Sequence, residues 1–417
     1  MKSRNNYRSK YLIWLLMIPP LLLFGRSEPL QAQNLQVGGL LDLELKKGGP
    51  DSSPVHNQTP DSTWSIYTPN VRLFFSSAIS DRWMANAVIQ ADHLYTGTEL
   101  SAPFFSALNL NWLAMPEHNL SFTFGRFITP FGLYKDRTLS SADPFVHYPL
   151  TMAKYLTVDR KRGFFTGDRS YGGTVGMAIL YPRHYSQGIK MSGGSLSDNG
   201  YRFDLAATLI SASSYTQYGE HTRPNLIGSL SLNPWIWLEL GGSFNYGPYM
   251  TPAYLNRNIS KDKLQTYDQI SLSGRAEVSY HYFIFSGEYT WNRWEAPWIG
   301  QDGLLHFEEI FADAQHYLLE LQYRLPSIVG LHTAVRFEQL LGGGASNEGA
   351  IFNTGDEHSY GSHGVPNEWM QDITRGEVVV GYDINRQIEL KASYLLARNE
   401  GEEWKDDVFT IQLSAGF

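Results

Sequence analysis

Cysteine is absent from this 417-residue chain, which excludes a disulfide framework, a thiolate zinc site, an iron–sulfur cluster and a thiol nucleophile. Long apolar runs are scarce too, and the mean hydropathy is −0.29, so a bundle of membrane-spanning helices is excluded. Positive charge is in short supply: 33 Lys and Arg stand against 41 Asp and Glu, a net of −8. Nucleic acid, which selects a basic footprint, is therefore not an expected partner. The sequence also lacks a Gly-x-Ser-x-Gly elbow, a Gly-x-x-x-x-Gly-Lys phosphate loop and any legible nucleophile–base pair, so no enzyme activity and no cofactor are expected. What the chain does have is aromatic residues. Its 11 Trp, 25 Tyr and 22 Phe make up 14% of the sequence, a content incompatible with disorder.

The one substantial apolar run, Tyr11–Phe24, follows Lys2, Arg4, Arg8 and Lys10 and precedes Leu30-Gln31-Ala32. These are the three regions of a secretory signal peptide, predicted over residues 1–32. Pro19 and Pro20 leave the run too short and too broken to span a bilayer, and no Cys follows it to carry a lipid. Cleavage after Ala32 removes five basic residues and one acidic residue, leaving 28 Lys and Arg against 40 Asp and Glu, a net of −12. Residues 33–417 read as one domain.

From Asn34 onward the dominant signal has period two. Along Leu35–Lys46 the odd positions are mostly Leu and Val, while the even positions end in Asp42, Glu44 and Lys46. Along Ile270–Tyr282, Ile270, Leu272, Ala276 and Val278 share one face, with Ser271, Ser273, Arg275 and Glu277 opposite. Strict alternation places the two sets on opposite faces of a strand. Many of these segments exceed the roughly 5–6 residues usual in soluble sheets and match the roughly 9–11 residues of a tilted membrane strand. Trp235, Trp237, Tyr246, Trp291 and Trp294 gather near strand ends, as interfacial girdle residues do. Short connections at 80–81, 115–119, 233–234, 281–282, 326–330 and 383–387 alternate with long ones such as 128–170, 295–312 and 342–371. The pattern predicts an all-β, transmembrane, antiparallel up-and-down barrel with short periplasmic turns and long extracellular loops. The preferred count is sixteen strands, with one strand placed somewhere in 171–196; two strands there would raise the count, and eighteen is the next even number.

Two segments carry a resemblance. Gly125-Arg126-Phe127-Ile128-Thr129-Pro130-Phe131-Gly132 is similar to the Gly-Arg-Phe-x-x-Pro-Phe-Gly segment that ends the strand before the third loop in outer-membrane porins, most of all the sixteen-stranded phosphate-selective type. The C-terminal Phe409–Phe417 resembles the terminal strand read by barrel-assembly machinery. The resemblance implies a Gram-negative outer-membrane location, lipid and lipopolysaccharide as surroundings, a homotrimer, and a third loop, here 128–170, that folds into the lumen and narrows it. The tandem arginine ladder and lysine cluster that would mark phosphate selectivity are not matched.

Loop 128–170 holds seven basic residues, among them Lys135, Arg137, Arg160, Lys161 and Arg162, against four Asp, a net of +3 in an acidic chain. Fixed positive charge at a constriction favours anions. Those five residues are the candidate constriction, joined by Arg126, whose phase with Phe122 and Phe124 points it outward unless a strand end or bulge turns it. Arg72, Arg275, Glu277, Arg336, Glu338 and Lys391 are the candidate lumen wall. His306, Glu309, Asp313 and His316 would share a face only on a helix, and His358 and His363 lie in a long loop; both sets read as solvated, so no metal is expected. The expected function is a water-filled channel for passive diffusion of small hydrophilic solutes or ions, with anions preferred. The rival is a non-channel barrel acting as receptor, adhesin or structural protein, and the position of loop 128–170 separates the two.

Overall fold

The alternation read from the sequence is realised as a closed antiparallel barrel. A computed structural model describes residues 33–49, 63–91, 104–153, 155–157, 176–178, 185–195, 199–210, 223–248, 266–299, 305–346, 372–399 and 405–417. The predicted signal peptide and Arg160, Lys161, Arg162, His358 and His363 lie outside the described residues. The strands are β1 (Gln33–Gly48), β2 (Trp64–Ser80), β3 (Trp83–Ala91), β4 (Phe104–Met115), β5 (Leu120–Ile128), β6 (Tyr155–Thr157), β7 (Gly176–Ala178), β8 (Tyr185–Gly194), β9 (Tyr201–Ile210), β10 (Asn225–Trp235), β11 (Leu238–Pro248), β12 (Asp268–Tyr280), β13 (Phe283–Ile299), β14 (Leu305–Arg324), β15 (Leu331–Ser346), β16 (Ile373–Asp383), β17 (Ile388–Asn399) and β18 (Lys405–Gly416). Sixteen of them close the barrel in chain order, with β5 pairing to β8 and β18 returning to β1; β6 and β7 form a separate two-stranded sheet. The single barrel strand in 171–196 is β8, so the count of sixteen holds. At the seam the C-terminal Phe417 extends the pairing: its carbonyl accepts from Gly39 N at 3.0 Å and its own N–H donates to Gly39 O at 3.1 Å.

The burial pattern is that of a soluble protein turned inside out. Outward residues are large, apolar and exposed: Leu272, Leu319, Val335, Val378 and Val380 are all 47–51% exposed. Their inward neighbours are polar and covered, as with Asp42, Ser271 and Glu338, each at 0%. Only an apolar solvent around the barrel makes that arrangement favourable, because apolar area left in water costs about 25 cal/mol per Å². Trp235 and Trp237 are exposed and stack at 5.3 Å beside a turn, as a girdle pair should. Trp294 does not join them. It falls in the inward phase of β13 with Glu288 and Asn292 and is 0% exposed.

Two predicted connections shift. The β10–β11 turn falls at Ile236-Trp237, not at Asn233-Pro234, because strand pairing runs past the proline through a register shift between Leu232 and Trp235. The predicted loop 295–312 is mostly a ladder, since β13 reaches Ile299 and β14 begins at Leu305. Positions 306, 309, 313 and 316 therefore fall on a strand and not on the helix that would have gathered them. Finally, not all inward positions are polar. Ala334 and Val379 are inward and fully covered, clustered with Phe145 of the loop after β5.

Candidate functional site: a loop fastened across the lumen

The loop is launched by the glycine-rich segment at the end of β5. Gly125 has φ +117° within the strand, and a Cβ there would meet the Leu108 carbonyl at 2.3 Å. Gly132 has φ +70°, and a Cβ there would sit 2.8 Å from Glu288 Oε1 of β13. Only glycine adopts such a turn without cost. Phe127, Phe131, Leu133 and Tyr134 are buried around it. Thr129 and Ser186 hydroxyls lie 2.8 Å apart, Gly132 N donates to Ser243 Oγ of β11 at 3.0 Å, and Leu133 N donates to Glu288 Oε1 at 3.1 Å. These bonds carry the chain from β5 to the far wall, so residues 129–153 run inside the barrel, as the resemblance implied.

Beyond Gly132 the loop threads a belt of wall charges. Lys135 Nζ pairs with Asp204 Oδ2 of β9 at 3.0 Å. Asp136 meets Arg202 at 3.2 Å and Arg275 at 3.9 Å. Arg137 reaches two carboxylates, Glu277 at 2.8 Å and Glu320 at 2.5 Å. Arg72 donates to Thr138 O at 2.8 Å, and Asp42 accepts from Ser140 Oγ at 2.6 Å. Lys391 donates to the carbonyls of Ser140 and Asp143 at 2.5 and 2.6 Å.

Arg336 stands at the centre of the belt and is 1% exposed. Its Nε donates to Glu320 at 2.8 Å, its Nη1 donates to His147 O at 2.5 Å and lies 3.5 Å from Glu377, and its guanidinium lies 3.9 Å from the Phe145 ring centre. Glu377 accepts from the backbone N–H groups of Val146 and His147, each at 3.2 Å, and pairs with His147 Nδ1 at 2.9 Å. Glu338 pairs with Arg375 and accepts from Leu150 N at 3.3 Å, where the short helix Leu150–Ala153 packs on β15. Arg375 in turn donates to Tyr148 O. Wall charges thus bond the loop backbone as well as each other, which is how charges stay buried without a large desolvation loss. Two loop groups respond to the burial. The Asp143 carboxyl is pushed up to about 8 by loss of solvent, against the pull of Arg336 with Nη2 3.7 Å away. Burial likewise raises the Tyr148 phenol to about 12.

Of the candidate residues, Lys135, Arg137, Arg72, Arg275, Glu277, Arg336, Glu338 and Lys391 meet in this belt. Lys135 and Arg137 do so as members of ion pairs rather than as free cations facing the pore. Arg126 stays at the root of the loop, half-buried, with its guanidinium 5.8 Å from the Tyr185 ring centre. Glu320, Glu377, Arg375 and Asp204 belong to the belt and were missed by sequence reading. A signal for three of them existed: Glu320, Arg336 and Glu377 are direct cross-strand neighbours, as are Glu338 and Arg375. Counting back from the turn at 326–330 and the turn at 384–387 places those opposite charges side by side.

A second, uncharged arrangement lines β2–β5. Ser76 Oγ donates to Asn86 Oδ1 at 2.9 Å, and Asn86 Nδ2 to Asn109 Oδ1 at 3.2 Å. Asn111 Nδ2 donates to the same oxygen at 3.1 Å, and Thr123 Oγ1 to Asn111 Oδ1 at 2.5 Å. Ser76 and the three Asn residues are partly exposed to the lumen.

No protein-family model matches the sequence, and no curated protein matches it. Solved structures do match in fold. An anion-selective porin from Comamonas acidovorans aligns with a TM-score of 0.57 at 9% identity, covering 92% of this chain and 99% of its own. OmpF of Salmonella typhi, solved with daunomycin, aligns with a TM-score of 0.55 at 10% identity over 93% and 98%. The outer-membrane channel DcaP of Acinetobacter baumannii gives 0.54 at 9% over 92% and 97%. The chain has the fold of a porin-type, closed sixteen-stranded antiparallel β-barrel.

Proposed function

We propose that this protein is a non-enzymatic outer-membrane porin, a water-filled channel for passive diffusion of small hydrophilic solutes, exported with a cleaved signal peptide. The observation that carries the reading is the loop after β5: residues 129–153 run inside the barrel and are bonded to strands on its far side, which is the placement that narrows a channel and not that of an outward-reaching adhesin. The fold supports the same reading, since its neighbours include proteins described as a porin and a channel.

The described belt carries both signs of charge. Lys135 and Arg137 are neutralised by Asp204, Glu277 and Glu320, so this part of the loop supplies a transverse field of alternating charge and not an anion filter. Any anion preference then rests on Arg160, Lys161 and Arg162. Planar-bilayer recording tests both levels. Stepwise ion conductance from purified protein supports the channel, and its absence leaves the second reading, a plugged receptor, which the near-complete burial of Arg336, Glu338 and Glu377 favours. In a salt gradient, neutralising Arg160, Lys161 and Arg162 together shifts the reversal potential toward cations if that run lines the pore. An unchanged potential removes it from the selectivity reading.

A further inference from the structure

Three inward side chains at the turn-side rim of the lumen converge without taking part in the loop belt. His332 is the second residue of β15, Asp383 the last of β16 and Glu389 the second of β17. Strand register brings them together: His332 is opposite Gly381, and Asp383 is opposite Glu389. One ligand atom from each lies within 4.8 Å of the others, and His332 Nε2 is 3.5 Å from Glu389 Oε1. Ligands about 2.0–2.2 Å from a tetrahedral zinc ion stand roughly 3.4 Å apart, so the His–Glu spacing already suits a shared ion. Asp383 is exposed and on a strand end, free to complete the set.

The imidazole is prepared for this role. His332 is only 5% exposed, yet its Nε2 has no hydrogen-bond partner, an arrangement that ordinarily costs free energy. In a neutral imidazole one ring nitrogen carries a free lone pair, the form in which histidine ligates a metal ion. Room for the ring comes from Gly381, where a Cβ would lie 2.2 Å from Nε2. Lys391 sits 3.1 Å from the other oxygen of Glu389 and is drawn toward the Ser140 and Asp143 carbonyls, leaving Oε1 to face the histidine.

We infer that His332, Asp383 and Glu389 form a binding site for a divalent transition-metal cation at the turn-side mouth of the barrel. One imidazole and two carboxylates suit zinc or a similar borderline ion, with water completing the shell. Calcium, which takes oxygen ligands only, would leave Nε2 unused. The site rests on the wall geometry and holds whether or not the barrel conducts.

Zinc binding to the full-length, untagged, folded barrel tests the assignment, measured by competition with a chromophoric chelator. The expected result is one equivalent bound, with affinity reduced at least about tenfold by His332→Gln and likewise by Glu389→Gln, each variant keeping the β-sheet circular dichroism spectrum of the parent. Failure of the parent barrel to take up zinc, or uptake that survives both substitutions, overturns the assignment.

Discussion

Two stretches of the same lumen wall solve the problem of inward polarity differently. Along β14–β17, Glu320, Arg336, Glu338, Arg375, Glu377 and Lys391 are all 6% exposed or less, and they bond the backbone or side chains of the loop that crosses the barrel. Along β2–β5, Ser76, Asn86, Asn109 and Asn111 remain partly exposed and bond one another. A neutral amide has a donor and an acceptor, so a row of them satisfies itself. A carboxylate or guanidinium offers only one kind of partner and, once covered, requires opposite charge and further hydrogen bonds. In these two stretches the charged residues lie where the loop docks, and the row of neutral side chains lies where the wall stays partly exposed.

The largest break in this contrast should come from Arg336→Ala. It leaves Glu320 and Glu377 without their shared cation, a loss of about 3–5 kcal/mol for a buried pair. The loop should detach from β14–β16, read as faster hydrogen exchange at Val146 and His147 and as larger, noisier single-channel currents. Unchanged exchange would remove Arg336 from its central place.

The next effect is a pH dependence confined to the charged side. Asp143 is raised by burial from 3.8 to about 8 in the docked loop. The docked state thus holds a proton that the released loop gives up. This contribution is fully present below about pH 4, declines as pH rises, and is lost by about pH 8. Exchange protection of the loop should fall across that window, and Asp143→Asn should retain more of its protection at the upper end. Equal pH profiles for the two proteins would refute the assignment.

Gly132→Ala should cost about 1–3 kcal/mol for the positive-φ, extended backbone that only glycine adopts freely, with further displacement of Glu288 from the Gly132–Leu133 corner. Loop exchange should rise first at Leu133. The smallest effect is expected on the amide side. Ser76→Ala removes one bond, to Asn86, that water can replace, about 0.5–1.5 kcal/mol, and neither loop protection nor channel noise should change. A large response there would dissolve the distinction between the two walls.

How much of this was legible varies with the physics involved. Leu35–Lys46 and Ile270–Tyr282 declared their faces outright, because a strand has a fixed period of two and a barrel has only an apolar outside and a polar inside. The turn at 236–237 was misplaced because Pro234 reads as a turn residue, although a proline can end a strand at an irregularity. Trp294 was read as girdle from its residue type, while its phase with Glu288 and Asn292 already placed it inside. Glu320 and Glu377 are not legible in any single strand, because their meaning lies in register between strands.

By itself the sequence determined the closed all-β barrel and its sixteen strands, since alternation and strand length are local signals, while the entry of loop 128–170 into the lumen was implied only by the resemblance that the Gly125–Gly132 segment carries. Only the tertiary structure decided what the charges do. Lys135 and Arg137 look like a basic filter in sequence, and become halves of ion pairs because strands β9, β12 and β14 bring Asp204, Glu277 and Glu320 to them. A local period fixes which way a side chain points, whereas its electrostatic role depends on partners that are distant in the chain and near only after the barrel closes.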